Sequence, residues 1–80
     1  MTDTRPIFEI AREISHTWPA MNYAAKPYHE AMLHLQGIDD MYGADSAKSI
    51  VLYFLSNAST WRGDIARRTK QELKDLVAGS

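Results

Sequence analysis

Apolar side chains recur along the chain at intervals of three and four residues, in four separate stretches. This spacing places them on one face of an α-helix. The first stretch, about residues 5–17, carries a stripe made of Ile7, Ala11, Ile14 and Trp18. Thr4 can cap this helix, and Pro19 ends it because the residue before a proline avoids the helical region.

The next two stretches predict helices at about residues 27–42 and 46–57. We expect Pro27 in the first turn of helix two and Gly43 as its C-terminal cap. Asp45 or Ser46 can cap helix three. Residues 50–55 read IVLYFL, which also suits a strand, but no second strand candidate exists to pair with it. Because helix three is apolar on nearly all sides, we predict that it is the central one.

The fourth stretch predicts a helix at about residues 60–77, capped by Ser59 or Thr60. Its expected apolar face is made of Trp61, Ile65, Thr69, Leu73 and Leu76. The connections are short apart from the loop at 19–26. The pattern therefore predicts one all-α domain over residues 1–80, a compact bundle of four short helices.

The composition narrows the class of protein. The 80 residues include no Cys, which rules out disulfides and thiolate metal sites. No apolar run approaches the roughly 20 residues that a membrane span needs, and no secretory signal is visible. We therefore expect a cytoplasmic protein with no membrane contact. A chain this short buries only about 60% of its unfolded surface, so a homodimer that completes the core is one alternative.

The sequence contains no arrangement typical of a catalytic site. HEAMLH at 29–34 has one residue more than the zinc motif H-E-x-x-H. On a helix, five positions turn His34 about 140° away from His29, so the two cannot share a metal. There is no glycine-rich phosphate loop and no nucleophile with a recognisable base. We predict a non-enzymatic protein that uses neither a cofactor nor a metal.

Charge is distributed unevenly, although the net charge is only −1. Residues 1–60 hold four basic and seven acidic residues, whereas residues 61–80 hold five basic and three acidic residues. On helix four, Arg67, Lys70 and Lys74 fall on one outer face, and Arg68 lies four residues from both Asp64 and Glu72. This basic face suits a solvated helix, a protein-binding surface or, less well, a nucleic-acid-binding helix. The preceding turn, NAST, lacks the Gly that a helix-turn-helix often has there.

Trp61-Arg62-Gly63 allows two interpretations. In the first, Gly63 lets helix four cross closely over helix one or two, Trp61 plugs the core, and Arg62 reaches an aromatic ring or an acidic residue. In the second, Trp61 and Arg62 are partly exposed, as in an interface hot spot. Tyr23, in the 19–26 loop, either clamps that loop or is an exposed contact.

Three segments carry a resemblance to a known group of proteins: IFEIAREI, PYHEAMLHL and YGADSAKSIVLYFLSNASTWRGDIARRTKQEL. They resemble small proteins of actinobacterial phages and prophages, mycobacteriophages especially. The resemblance implies no particular activity, but it implies a bacterial host and a host or phage protein as partner.

We therefore expect a protein-interaction module. Its candidate surface consists of Trp61, Arg62, Arg67, Lys70 and Lys74, with Tyr23 apart from them. The alternatives are a nucleic-acid-binding protein that uses the basic face of helix four, and an assembly protein that acts as a homo-oligomer.

Overall fold

Four helices joined by turns and one small hairpin make up the fold in a computed structural model that describes residues 5–79. The helices are α1 (Ile7–Thr17), α2 (Lys26–Met32), α3 (Ala47–Ser56) and α4 (Asp64–Ala78). Two short strands, β1 (Met41–Tyr42) and β2 (Asp45–Ser46), lie between α2 and α3. The predicted all-α bundle is confirmed, while Thr4 lies outside the described residues. No helix within residues 5–79 is both long enough and apolar enough to cross a membrane.

The core forms where the predicted stripe of α1 meets α3 and the turn before α4. Every member of that stripe is buried, and so are Ile50, Val51 and Phe54 of α3. Trp18 and Trp61 stack with their ring centroids 5.4 Å apart and their planes 9° from parallel. Trp18 also meets the Phe54 ring edge-on, at 6.2 Å. The stack therefore joins the end of α1 to the start of α4.

α2 ends ten residues before the predicted boundary. The Asp40 carboxylate accepts hydrogen bonds from the backbone N–H groups of Gln36, at 2.7 Å, and Gly37, at 3.3 Å. The carbonyls of Leu35 and Gln36 accept from the N–H groups of Phe8 and Ile7, each at 2.9 Å. Since the first N–H groups of a helix have no partner inside it, these two carbonyls complete the start of α1. Because the backbone after Met32 makes these contacts, it does not continue as a helix.

The segment after this turn forms a two-stranded antiparallel hairpin, contrary to the expectation that the chain has no strand pair. Tyr42 pairs with Asp45, and Gly43 with Ala44 forms the turn between them. Gly43 has φ +63°, which the favoured two-residue hairpin turns require at this position. It is therefore a turn residue and not the cap of helix two. The Ser46 hydroxyl then accepts from the Ser49 N–H at 3.1 Å, which confirms Ser46 as the cap of α3.

α4 begins at Asp64, later than predicted, because residues 57–63 form a separate turn. The Asn22 side-chain amide donates to the Asn57 carbonyl at 2.7 Å and to the Thr60 hydroxyl at 3.3 Å, so Thr60 contacts the 19–25 loop instead of capping a helix. The buried positions of α4 are Ala66, Thr69 and Leu73. Ile65 was expected on the buried face and is exposed.

α3 contacts α2, α4 and β2, but it is not buried on nearly all sides as the sequence suggested. Leu52 and Tyr53 lie on its exposed face. Its apolar run is therefore divided between the core and the surface.

Replacement of Trp61 by alanine tests the stack. We expect the free energy of unfolding to fall by about 3–5 kcal/mol, since a buried aromatic ring leaves a cavity. Urea unfolding followed by circular dichroism measures this, with Trp61→Phe as the variant to use if the alanine variant does not fold. Tyr23→Ala is the matched control, because Tyr23 is 88% exposed. Equal losses in Trp61→Ala and Tyr23→Ala would contradict the central role of the stack.

Replacement of Gly63 by alanine tests a backbone constraint. Gly63 has φ +110° and ψ 175°, a region open almost only to glycine. A Cβ there would meet no atom within 4 Å, so any cost must come from the backbone. We expect Gly63→Ala to lower the free energy of unfolding by about 1–3 kcal/mol. Gly37→Ala, where the Cβ also meets nothing and φ is not positive, should be neutral or slightly stabilising in the same measurement.

Candidate functional site

Five of the six candidate residues line one open groove between the 59–63 turn and the first turns of α4. The groove has a volume of about 410 Å³. Its lining consists of Ser59, Trp61, Arg62, Gly63, Arg67, Lys70, Gln71 and Lys74. We call it the basic groove, because four cationic side chains and no carboxylate line it. Tyr23, the sixth candidate, is exposed on the 19–25 loop and is not part of this lining.

Trp61 belongs to the core rather than to an exposed hot spot. Trp61 is 4% exposed, and its ring is stacked on that of Trp18. The structure therefore supports the interpretation of Trp61 as a core plug. The expectation that Gly63 permits a close helix crossing is wrong, because open space surrounds the position of its Cβ. Glycine is needed there for the backbone turn that leads into α4.

Lys70 is held at the groove by two contacts with Trp61. Its Nζ donates to the Trp61 carbonyl oxygen at 2.6 Å and lies 5.9 Å from the centroid of the indole ring. The aromatic contact expected of Arg62 is thus made by Lys70. Burial lowers the pKa of the Lys70 ammonium, and the positive charges of Lys74 and Arg62 lower it further. Lys74 and Arg62 therefore each repel Lys70, and no carboxylate within residues 5–79 lines the groove to compensate.

The other groove cations are exposed. Arg67 forms an ion pair with Asp64 at 3.8 Å, but both side chains are largely in water, where such pairs are strongly screened. The sequence suggested that Asp64 would pair with Arg68, one position further along. In the structure, Arg68 has no ion pair with any residue in the range 5–79.

Glu72, the second expected partner of Arg68, is instead bound by Arg5. The Arg5 guanidinium donates to both Glu72 carboxylate oxygens, at 3.0 and 2.7 Å. It also pairs with Glu13 of α1 at 2.7 Å. The hydrogen bond to Glu72 is the largest cause of the raised pKa of Arg5. Arg5 is thus shared between Glu72 and Glu13, and none of these three residues lines the basic groove.

The cations of the basic groove suit the binding of an anion. No three His, Asp or Glu side chains among the described residues lie close enough together to hold a metal ion. His29 and His34 make different contacts: the His29 Nε2 lies 2.8 Å from the Ala11 carbonyl, and His34, beyond the end of α2, stacks on Tyr42 at 5.7 Å. A carboxylate or phosphate in the basic groove would relieve the repulsion among its cations.

Three tyrosines were missed as candidate residues. Tyr28, Tyr42 and Tyr53 fall within the predicted helices two and three and are absent from the candidate surface. In the structure, Tyr42 and Tyr53 are exposed and Tyr28 is half-buried, and all three line a second groove. The signal that could have separated Tyr42 from core residues is the Tyr-Gly-Ala-Asp turn at 42–45, which is compatible with a hairpin.

No protein-family model matches this chain, and no curated protein or solved structure matches it significantly.

A titration of Lys70 tests the electrostatics of the basic groove. Replacement of Lys74 by glutamine removes one repelling charge, so we expect the pKa of Lys70 to rise towards its ordinary value. NMR detection of the lysine side-chain signals as a function of pH measures this directly. Lys48→Gln, an exposed lysine on α3 outside the groove, is the matched control and should leave the pKa of Lys70 unchanged. An unchanged pKa in Lys74→Gln would show that the two ammonium groups are not coupled.

Proposed function

We propose that this chain is a non-enzymatic interaction module that binds an acidic face of a host or phage protein through the basic groove. The observation that carries the proposal is the convergence of Arg62, Arg67, Lys70 and Lys74 on a groove that no carboxylate lines. Oppositely charged surfaces steer association and fix the orientation of partners. Arginine is also one of the residue types that contribute most to interface hot spots.

The anchoring of the groove favours specific binding. Lys70 is tied to the Trp61 carbonyl, and Arg62 lies between the buried Trp61 and the constrained Gly63. Groups that are already ordered lose less conformational entropy when a partner binds. The resemblance to small phage proteins is consistent with a partner in the cytoplasm of a bacterial host.

The features of the groove favour a protein over a nucleic acid. Single strands bind strongly where bases stack on exposed aromatic rings, and the ring of Trp61 is buried against Trp18. Asp64 and Asp75 on α4, together with the net charge of −1, would oppose an extended polyanion. Four cations can still contact phosphates, so a nucleic-acid-binding protein remains the second candidate.

Charge reversal tests the proposal in affinity capture from a nuclease-treated actinobacterial lysate. We expect the wild-type chain to retain an acidic host protein and Arg67→Glu/Lys74→Glu to retain at least about tenfold less of it, since two attractive contacts become repulsive. Lys26→Glu/Lys48→Glu is the matched control: it changes the net charge equally, at exposed lysines outside the groove. Circular dichroism confirms that each variant is folded.

Four results would contradict the proposal. Absence of a retained partner, or equal retention by the groove variant, would count against the basic groove. Capture that depends on nucleic acid, together with a DNA mobility shift whose affinity falls steeply with salt, would favour the nucleic-acid alternative. A stable homo-oligomer in light scattering, unaffected by Arg67→Glu/Lys74→Glu and accompanied by no other partner, would favour the assembly protein.

A further inference from the structure

A second open groove lies between α2, α3 and the hairpin. Its volume is about 560 Å³. Tyr28, Tyr42, Tyr53 and Asp45 line it, together with the apolar side chains of Pro27 and Ile50. We call it the tyrosine groove. It shares no residue with the basic groove.

The three rings are held in place and remain accessible to solvent. The Tyr28 and Tyr53 rings contact each other with their centroids 5.4 Å apart and an angle of 31° between their planes. The Tyr42 ring is supported by His34, which stacks on it at 5.7 Å. Tyr53 is 54% exposed and Tyr42 is 41% exposed. Rings with such support lose little freedom on binding, and their faces carry the negative part of the aromatic quadrupole.

Asp45 is the one charged residue among the described residues that line the tyrosine groove. Within residues 5–79, the Asp45 carboxylate makes no hydrogen bond and no ion pair, and it lines the groove. Residues 37–46 include Asp39, Asp40 and Asp45 but no Lys or Arg. Lys48 lies three positions after Asp45, but it does not line the groove. Aromatic faces beside an unpaired carboxylate favour a cation and disfavour an anion.

We propose that the tyrosine groove binds an arginine side chain carried by an extended segment of a partner protein. A guanidinium can stack on a tyrosine face and donate two parallel hydrogen bonds to the Asp45 carboxylate. It is also more weakly hydrated than the ammonium of lysine, so it loses less hydration free energy when it leaves water. The groove is larger than one guanidinium, which leaves room for the residues beside the arginine. This inference goes beyond the basic groove, because it assigns a separate surface to a ligand of opposite charge.

An NMR titration of the full isotope-labelled chain tests this assignment. The probe is a short Gly/Ser peptide with one central arginine, and the matched control peptide carries citrulline, its neutral isostere, at the same position. We expect the arginine peptide to shift the ring signals of Tyr28, Tyr42 and Tyr53. The citrulline peptide should bind at least about fivefold more weakly, because it lacks the charge that cation–π contacts and ion pairs need.

Variants of the chain sharpen the test. Asp45→Asn, which keeps the shape of the side chain, and Tyr53→Ala, which removes an exposed ring, should each weaken arginine-peptide binding at least about threefold. Tyr53→Phe should restore most of the affinity, since it keeps the aromatic face. Arg67→Glu/Lys74→Glu should bind the peptide no more weakly than wild type. This comparison separates a failure of the tyrosine groove from a failure of the basic groove.

The proposal is overturned by any of four results. These are equal affinity for the two peptides, shifts that map away from the three tyrosines, no shifts at millimolar peptide, or full affinity in Asp45→Asn. Tyrosine shifts that depend on protein concentration without peptide, and that the peptide does not displace, would show that a second copy occupies the groove instead.

Discussion

The stack of Trp18 on Trp61 is the interaction on which the rest of the fold depends. It joins the end of α1 to the turn before α4, so two segments more than 40 positions apart meet in one core. The backbone carbonyl of Trp61 accepts the hydrogen bond from Lys70. Gly63 then adopts the conformation that directs the chain from the buried Trp61 into α4. The basic groove is therefore built directly on the core, and a change that loosens the stack is expected to disturb the groove as well.

The net charge of −1 conceals two surfaces of opposite character. Positive side chains gather at the start of α4, while the segment that contains the hairpin carries three aspartates and no basic residue. The two surfaces differ in more than their sign. The basic groove is lined mainly by long, charged side chains, whereas the tyrosine groove is lined by supported rings and one carboxylate. If both grooves bind, the partner surfaces must differ accordingly: one acidic and polar, the other a segment with a cationic side chain that can stack on an aromatic face.

Local patterns in the sequence predict those parts of the fold that local interactions determine. The buried stripe of α1 and the grouping of Arg67, Lys70 and Lys74 follow from spacing and residue type, which also limit the cap of α3 to Asp45 or Ser46. Contacts between distant segments are not visible in that pattern. Arg5 forms a salt bridge with Glu72, which is 67 positions away in the sequence. Arg68 therefore lacks the ion-pair partner that its position on the same helix predicts. Ile7 and Phe8 bind carbonyls near residue 35, and this long-range contact helps to set where α2 ends. The burial of Trp61 could not be predicted either, because a tryptophan at this position is compatible with both a core plug and an exposed hot spot.

The early end of α2 also accounts for the tyrosine groove. In a continuous helix Tyr42 would lie about 21 Å along the axis from Tyr28, too far for both rings to line one small groove. Asp40 instead holds the amides of Gln36 and Gly37 in a turn, and the hairpin that follows places Tyr42 beside the same groove as Tyr28 and Tyr53. The turn thus has two consequences. It presents the carbonyls that complete the start of α1, and it brings Tyr42 and Asp45 to the surface where a cationic side chain can reach both. Asp40 therefore connects the folding of α1 with the shape of the tyrosine groove.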